Sequence, residues 1–87
     1  MMHRIYFDSN EGDPAGRYDL GIPGSLRDIA ALKTELNSGG RVLLYMDDLE
    51  VEAVLDWDAA LGQWWARPSW DTLRYLVDGA ASSAAAE

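Results

Sequence analysis

Six carboxylates fall within the twelve residues DDLEVEAVLDWD: Asp47, Asp48, Glu50, Glu52, Asp56 and Asp58, with no cation between them. Carboxylates at this density can hold a hard cation, share protons for acid–base work or dock a basic partner. On a strand, Glu50, Glu52 and Asp56 project from one face and Asp58 follows, which makes a strip rather than a convergent cluster. Paired-carboxylate hydrolysis would also need a substrate cleft, hard to build from 87 residues that must first form a core. The strip reads either as a solvated sheet face or as a docking surface for Lys- and Arg-rich protein.

The other chemistry-bearing stretches are weaker. DSNEGDPAGRYD (8–19) places Asp8 and Asn10 at the first two ligand positions of a calcium loop and Asp19 near the closing one. Gly12 stands where the third ligand belongs and Asp13 where the turn glycine belongs, so an acidic surface loop is the favoured reading. His3, the sole histidine, has no nucleophile elbow near it, and GIPGS (21–25) lacks the lysine and spacing of a phosphate loop. Without cysteine there is no thiolate nucleophile, no disulfide and no zinc-finger chemistry. We expect no catalytic residues, no metal and no cofactor, hence a non-enzymatic protein.

Three of the four tryptophans lie in GQWWARPSWD (62–71). Strand alternation sends Trp64 and Trp65 to opposite faces. A four-residue loop at 59–62 pairs Asp58 with Gln63, Trp57 with Trp64, and Asp56 with Trp65. Trp57 and Trp64 then make an inward cross-strand pair. Trp65 points outward beside Arg67 and Val54, where Arg67 could stack on the indole and reach Asp56 together. Two readings follow. Trp65, Arg67, Trp70 and Tyr45 line an aromatic groove for a peptide, or the helix covers that face and both tryptophans are core.

The elements that position these residues follow from periodicity. HRIYFD (3–8) reads as a strand, SNEGDPAG (9–16) as a loop and RYDL (17–20) as a short returning strand. Leu26, Ile29, Leu32 and Leu36 recur at helical spacing. Ser25 and Asp28 match a Ser-x-x-Asp capping box and Gly39-Gly40 a stop, predicting a helix over 25–37. Residues 41–58 read as a hairpin turning at Asp47-Asp48, with Val42, Leu44 and Met46 facing Ala53, Val51 and Leu49 on the apolar side. QWWAR (63–67) is a strand that Pro68 ends, residues 69–72 a helical turn and about 73–77 a final strand.

The sum is an α+β fold, a small antiparallel sheet of about five short strands with one helix. The order of features over 41–77 resembles SH3-like barrels, which implies a partly rolled barrel; the helix before residue 41 lies outside that pattern. Residues 1–77 form the single expected domain, and GAASSAAAE within 78–87 reads as a disordered tail.

A net charge of −8 argues against nucleic acid and anionic membrane as partners, because both bind through cations. No apolar run marks a signal peptide or a span, so the expected compartment is the cytoplasm. The expected role is protein binding, through an aromatic patch (Trp65, Arg67, Trp70, Tyr45) and the acidic strip (Glu50, Glu52, Asp56). The partner would carry a basic or peptide-like surface. The alternatives are an acidic inhibitor or immunity-type protein neutralising a basic partner, and a small structural homodimer.

Overall fold

The β3 strand (Arg41–Met46) turns at Asp47 and Asp48 into β4 (Leu49–Asp58), in the register that apolar alternation predicts: Met46 opposite Leu49, Leu44 opposite Val51, Val42 opposite Ala53. Asp47 takes a φ of 47°, the left-handed conformation that a two-residue hairpin turn requires and that Asp tolerates better than most residues. The computed structural model describes residues 2–76. The expected tail 78–87 and Val77 of the expected last strand lie outside them.

Around this hairpin stand β1 (Arg4–Tyr6), β2 (Tyr18–Asp19), α1 (Pro23–Ala31), β5 (Gln63–Pro68), a 3-10 turn at Trp70–Thr72 and β6 (Arg74–Tyr75). The sheet order is β1-β3-β4-β5-β2, with β6 on the first residues of β4. The architecture is α+β, one helix on a curled sheet that forms a half-barrel compatible with a partly rolled SH3-like barrel. The sheet is mixed. β1 joins β3 in parallel, a pairing that needs a long crossover, and residues 7–40 with α1 and β2 supply it.

One face of the sheet makes the core. Ile5, Phe7, Leu20, Val42, Leu44, Val51, Ala53, Leu55 and Ala66 are buried, and Ile29, Leu36, Met46, Leu49 and Leu73 pack against them. The alternation of Val51, Ala53 and Leu55 with Glu50, Glu52 and Val54 is the period of two that puts one set in the core and the other on the far face.

The helix differs from expectation at both ends. It begins at Pro23, whose fixed φ suits a first helical position, so Ser25 sits inside the helix instead of capping it. Ser25 and Asp28 act on the edge of β1. Phe7 N–H donates to Tyr45 O and His3 O accepts from Leu43 N–H, so the odd-numbered peptides of β1 face β3 and the peptide groups of Tyr6 face outward. Ser25 Oγ donates to Tyr6 O, and Asp28 Oδ2 accepts from Tyr6 N–H at 2.9 Å. Two side chains one helical turn apart thus take the place of a neighbouring strand. Gly24 permits the approach, since a Cβ there would lie 2.6 Å from the Tyr6 ring.

The helix ends at Ala31, well before Gly39-Gly40, and Leu26 is exposed rather than packed on the core with the half-buried Ile29 and Leu36. The reason lies in β4, which outruns β3 by several residues. The 37–40 segment is drawn out to pair with it: Gly39 N–H donates to Leu55 O and Leu55 N–H to Gly40 O, both at 2.8 Å. Other edges are closed by similarly short devices. Asp19 N–H donates to Glu11 O beside β2, and on β4 Ser69 N–H donates to Glu52 O while Thr72 Oγ1 accepts from Glu52 N–H.

Removing the Ser25 hydroxyl strands the outward carbonyl of Tyr6 beneath the helix. Ser25→Ala is expected to cost about 1–2 kcal/mol, and Asp28→Ala at least as much because it frees both Tyr6 N–H and the Tyr45 hydroxyl. Urea midpoints at unchanged m-value measure this. Shifts confined to a few tenths of a kcal/mol would show that the edge tether contributes nothing.

Candidate functional site

The non-core sheet face carries the acidic strip, and every strip carboxylate there meets an arginine from elsewhere in the chain. Glu50 is 5% exposed and lies between two guanidiniums. Arg74 of β6 donates to its Oε1 from Nη2 (2.7 Å) and Nε (3.1 Å), and Arg4 of β1 donates to Oε2 at 3.0 Å. Glu52 pairs with Arg41. Asp56 and Asp58 share Arg17, at 3.4 and 3.6 Å, and Asp13 holds the same guanidinium at 2.9 Å. Four of the six arginines are spent on a strip that looks unopposed in the sequence. It is a network of ion pairs across β1, β3, β4, β6 and the 9–17 loop, not a free anionic surface.

The aromatic groove is not assembled as one site. Trp65 is half-buried on this face, but the cation stacked on it is Arg17, whose guanidinium carbon lies 4.5 Å from the ring centroid. Arg67, expected in that role, instead donates to Ala15 O at 2.9 Å and so ties β5 to the loop. Arg17 displaces it because Arg17 also faces Asp13, Asp56 and Asp58, three carboxylates against none for Arg67 among the described residues. Among the described residues the buried Trp65 indole N–H has no hydrogen-bond partner.

Tyr45 lies under Arg4 (4.3 Å) and donates its hydroxyl to Asp28 at 2.7 Å. The Asp28 carboxylate, by accepting that proton's hydrogen bond, pushes the Tyr45 hydroxyl above its ordinary value, with burial adding to it. Trp70 stands on the other side of the sheet. Its ring meets Tyr18 edge-on at 5.8 Å, and Tyr18 meets Phe7 at 5.4 Å. The helix packs along β1 and does not cover Trp65; Arg17 does.

Exposed aromatic surface occurs at Trp70 and Tyr75 in the C-terminal segment and, beside an exposed leucine, at the far end of the β4–β5 hairpin. The expected register holds, with Trp57 opposite Trp64 and Asp56 opposite Trp65. The two indoles meet edge-to-face at 5.0 Å and 64°. Trp57 is nonetheless 45% exposed, because Leu55 is the last residue of β4 that the core covers. Leu61, in the turn, is 62% exposed. The turn itself is well held: Asp58 Oδ1 accepts from Leu61 N–H at 3.0 Å, Asp58 O accepts from Gly62 N–H at 2.7 Å, and Gly62 adopts a φ of 66° that glycine accepts freely. No ionisable side chain occurs from Ala59 to Ala66. The tip is a hydrogen-bonded apolar turn whose residues 59–66 carry no charge. That absence of charge was visible beforehand, whereas the distance by which β4 outruns the core was not.

The calcium-loop reading finds no converging ligands. Asp8 accepts from Asn10 N–H, Asp13 from the N–H groups of Ala15 and Arg17, and Asp19 from Gly21 N–H, so each carboxylate closes its own turn. Among the described residues no group of three or more potential ligands is placed to hold a metal. A cavity of about 200 Å³ opens between His3, Glu35, Arg41 and the apolar floor of Leu36, Val42 and Leu55. It is smaller than the roughly 300–1,000 Å³ usual for small-molecule sites. No helix among the described residues is long and apolar enough to cross a membrane. No family model, curated protein or solved structure matches the chain.

Glu50 titrates below its ordinary 4.5 because Arg74, and then Arg4, hydrogen-bond its charged form and outweigh the effect of burial. Asp13 is likewise lowered, chiefly by the Arg17 backbone N–H. Groups with depressed folded values stabilise fully above the unfolded carboxylate range, and that stability is lost as pH falls through the folded values. Stability should therefore drop on acidification below about pH 4.5, and Glu50→Gln should flatten that drop. At neutral pH the same variant should cost less than the 3–5 kcal/mol typical of breaking a fully buried pair, roughly 1–3, because both guanidiniums are half in water. Urea midpoints against pH test it; an acid limb unchanged by Glu50→Gln would refute the assignment.

Proposed function

We propose that the protein is a small, non-enzymatic, protein-binding domain of the cytoplasm, and that its contact element is the tip of the β4–β5 hairpin. The observation that carries this reading is Trp57, seated on the half-buried Trp64, together with Leu61: apolar surface left in water on a turn that Asp58 and Gly62 close with hydrogen bonds. Tryptophan is among the residues enriched in binding hot spots. It brings large contact area while losing little side-chain freedom, and a hydrogen-bonded turn has less left to order on binding. An exposed apolar turn free of charge from Ala59 to Ala66 suits an apolar depression on a partner, so affinity would come from burial and be little affected by salt.

The acidic strip supports a secondary role at most. Glu50, Glu52, Asp56 and Asp58 each face an arginine of the same chain, and a basic partner would have to displace those arginines before pairing. This lowers the standing of the acidic-inhibitor reading relative to an aromatic contact.

Selection of a displayed library of peptides and small domains against the protein tests the proposal. Enriched binders should lose at least about tenfold in affinity, roughly 1.4 kcal/mol, with Trp57→Ala or Leu61→Ser, and should respond little to Glu52→Gln or to added salt. Near-ultraviolet circular dichroism would show the variants folded. Binders that follow Glu52 and ionic strength while ignoring Trp57 would overturn the aromatic reading in favour of the acidic one.

A further inference from the structure

The outer edge of β4 from Leu49 to Glu52 is closed with very little material. β6 contributes two residues, Tyr75 opposite Leu49 and Arg74 opposite Glu50. Beyond them the ladder is finished by Ser69 N–H on Glu52 O and by a side-chain hydroxyl, Thr72 Oγ1, accepting from Glu52 N–H. Arg74, Tyr75 and Leu76 are exposed; the segment is otherwise held by Leu73 on the core, by the Trp70 ring edge-on to Tyr18 and by Leu76 N–H donating to Asp48 O. The covering is slight, but the edge is demanding. Glu50 is a buried carboxylate, and anything that replaces β6 must deliver a cation to its Oε1 or leave that charge half-neutralised.

We infer that residues 69–76 form an exchangeable strap, and that a second copy of this chain occupies the same edge with its own strap to give a strand-exchanged dimer. The edge asks for a hydroxyl against Glu52 N–H, an apolar side chain toward the core and a guanidinium on Glu50, in that order and spacing. Thr72, Leu73 and Arg74 meet all three, so the strap of another copy needs no new complementarity. The hinge is in place as well. Pro68 pairs opposite Ala53 and ends β5, Ser69 adopts an extended φ of −98° and ψ of 91°, and a change at Ser69 swings the strap outward without disturbing β5. Each copy carries a net charge of −8, so exchange is opposed by repulsion and favoured by salt, the reverse of association through ion pairs. The exchange leaves the hairpin tip untouched and does not depend on what the tip binds.

Because the chain has no cysteine, introduced thiols report without background. Leu49 and Tyr75 are directly opposed, and strand partners at that spacing fall within disulfide reach. The double variant Leu49→Cys/Tyr75→Cys, refolded dilute and oxidised, should form an internal bridge and so confirm that the strap is in place. A Leu49→Cys chain and a Tyr75→Cys chain, unfolded together and refolded at high protein concentration, should give a mixed-disulfide dimer whose yield rises with salt. Adding Arg74→Ala to the Tyr75→Cys chain should cut that yield several-fold. Absence of the mixed dimer, or a yield indifferent to Arg74→Ala and therefore collisional, would overturn the inference.

Discussion

A sheet of short strands presents unpaired backbone along its edges, and closing those edges is the constraint on which this fold depends. β1, β2 and β4 all have a side that no full strand covers. On β1 the helix does it, with Ser25 and Asp28 presenting a donor and an acceptor to the outward peptide of Tyr6. On β2 the Glu11 carbonyl does it, and on β4 the 37–40 segment, the Thr72 hydroxyl and the two residues of β6 share the work. Each device is local and polar. The position of the helix, the early end of that helix and the path of the C-terminal segment all follow from the same requirement. An open edge would offer a template for pairing with other chains.

Charge is organised around the same scaffold. The carboxylates of β4 alternate with its core residues, so burying one face necessarily gathers the acids on the other. Self-repulsion along that row is relieved by arginines from separate segments, Arg4, Arg17, Arg41 and Arg74, each reaching the row from a different direction. The net charge of −8 therefore says little about where negative potential is felt. A chain can be strongly acidic and still spend its densest run of acids on its own cohesion.

Strand pairing was legible in the sequence because a period of two leaves only one register that keeps Val42, Leu44, Val51 and Ala53 together. Loop length then carried the register on to Trp57 and Trp64. The helix was legible in kind but not in extent. Ser-x-x-Asp serves an N-terminus and an adjacent strand edge equally well, and only the presence of β1 beside it decides. The parallel joint of β1 was hidden for a similar reason, since a lone three-residue strand carries no mark of its partner. Of the candidate site residues, Trp65 and Asp56 were placed correctly opposite each other, while the cation between them came from Arg17, distant in sequence and not distinguishable beforehand from Arg67. Exposure of Trp57 depended on how far β4 extends past the core, a property of the assembled layers and not of any short motif.

The parallel pairing of β1 sets the order in which the fold can be completed. Arg4 lies opposite Leu43, a separation of 43 − 4 = 39 positions, whereas β3, β4 and β5 are joined by tight turns. Loop closure over that span carries a large chain-entropy cost, as does the longer one that brings Tyr18 of β2 opposite Ala66 of β5, and for β1 it brings no return until β3 exists to receive the strand. During synthesis β1 emerges before its partner and is thus obliged to wait for the middle of the chain. Its apolar residues Ile5 and Phe7 find their places only after the hairpin that will shelter them has been made.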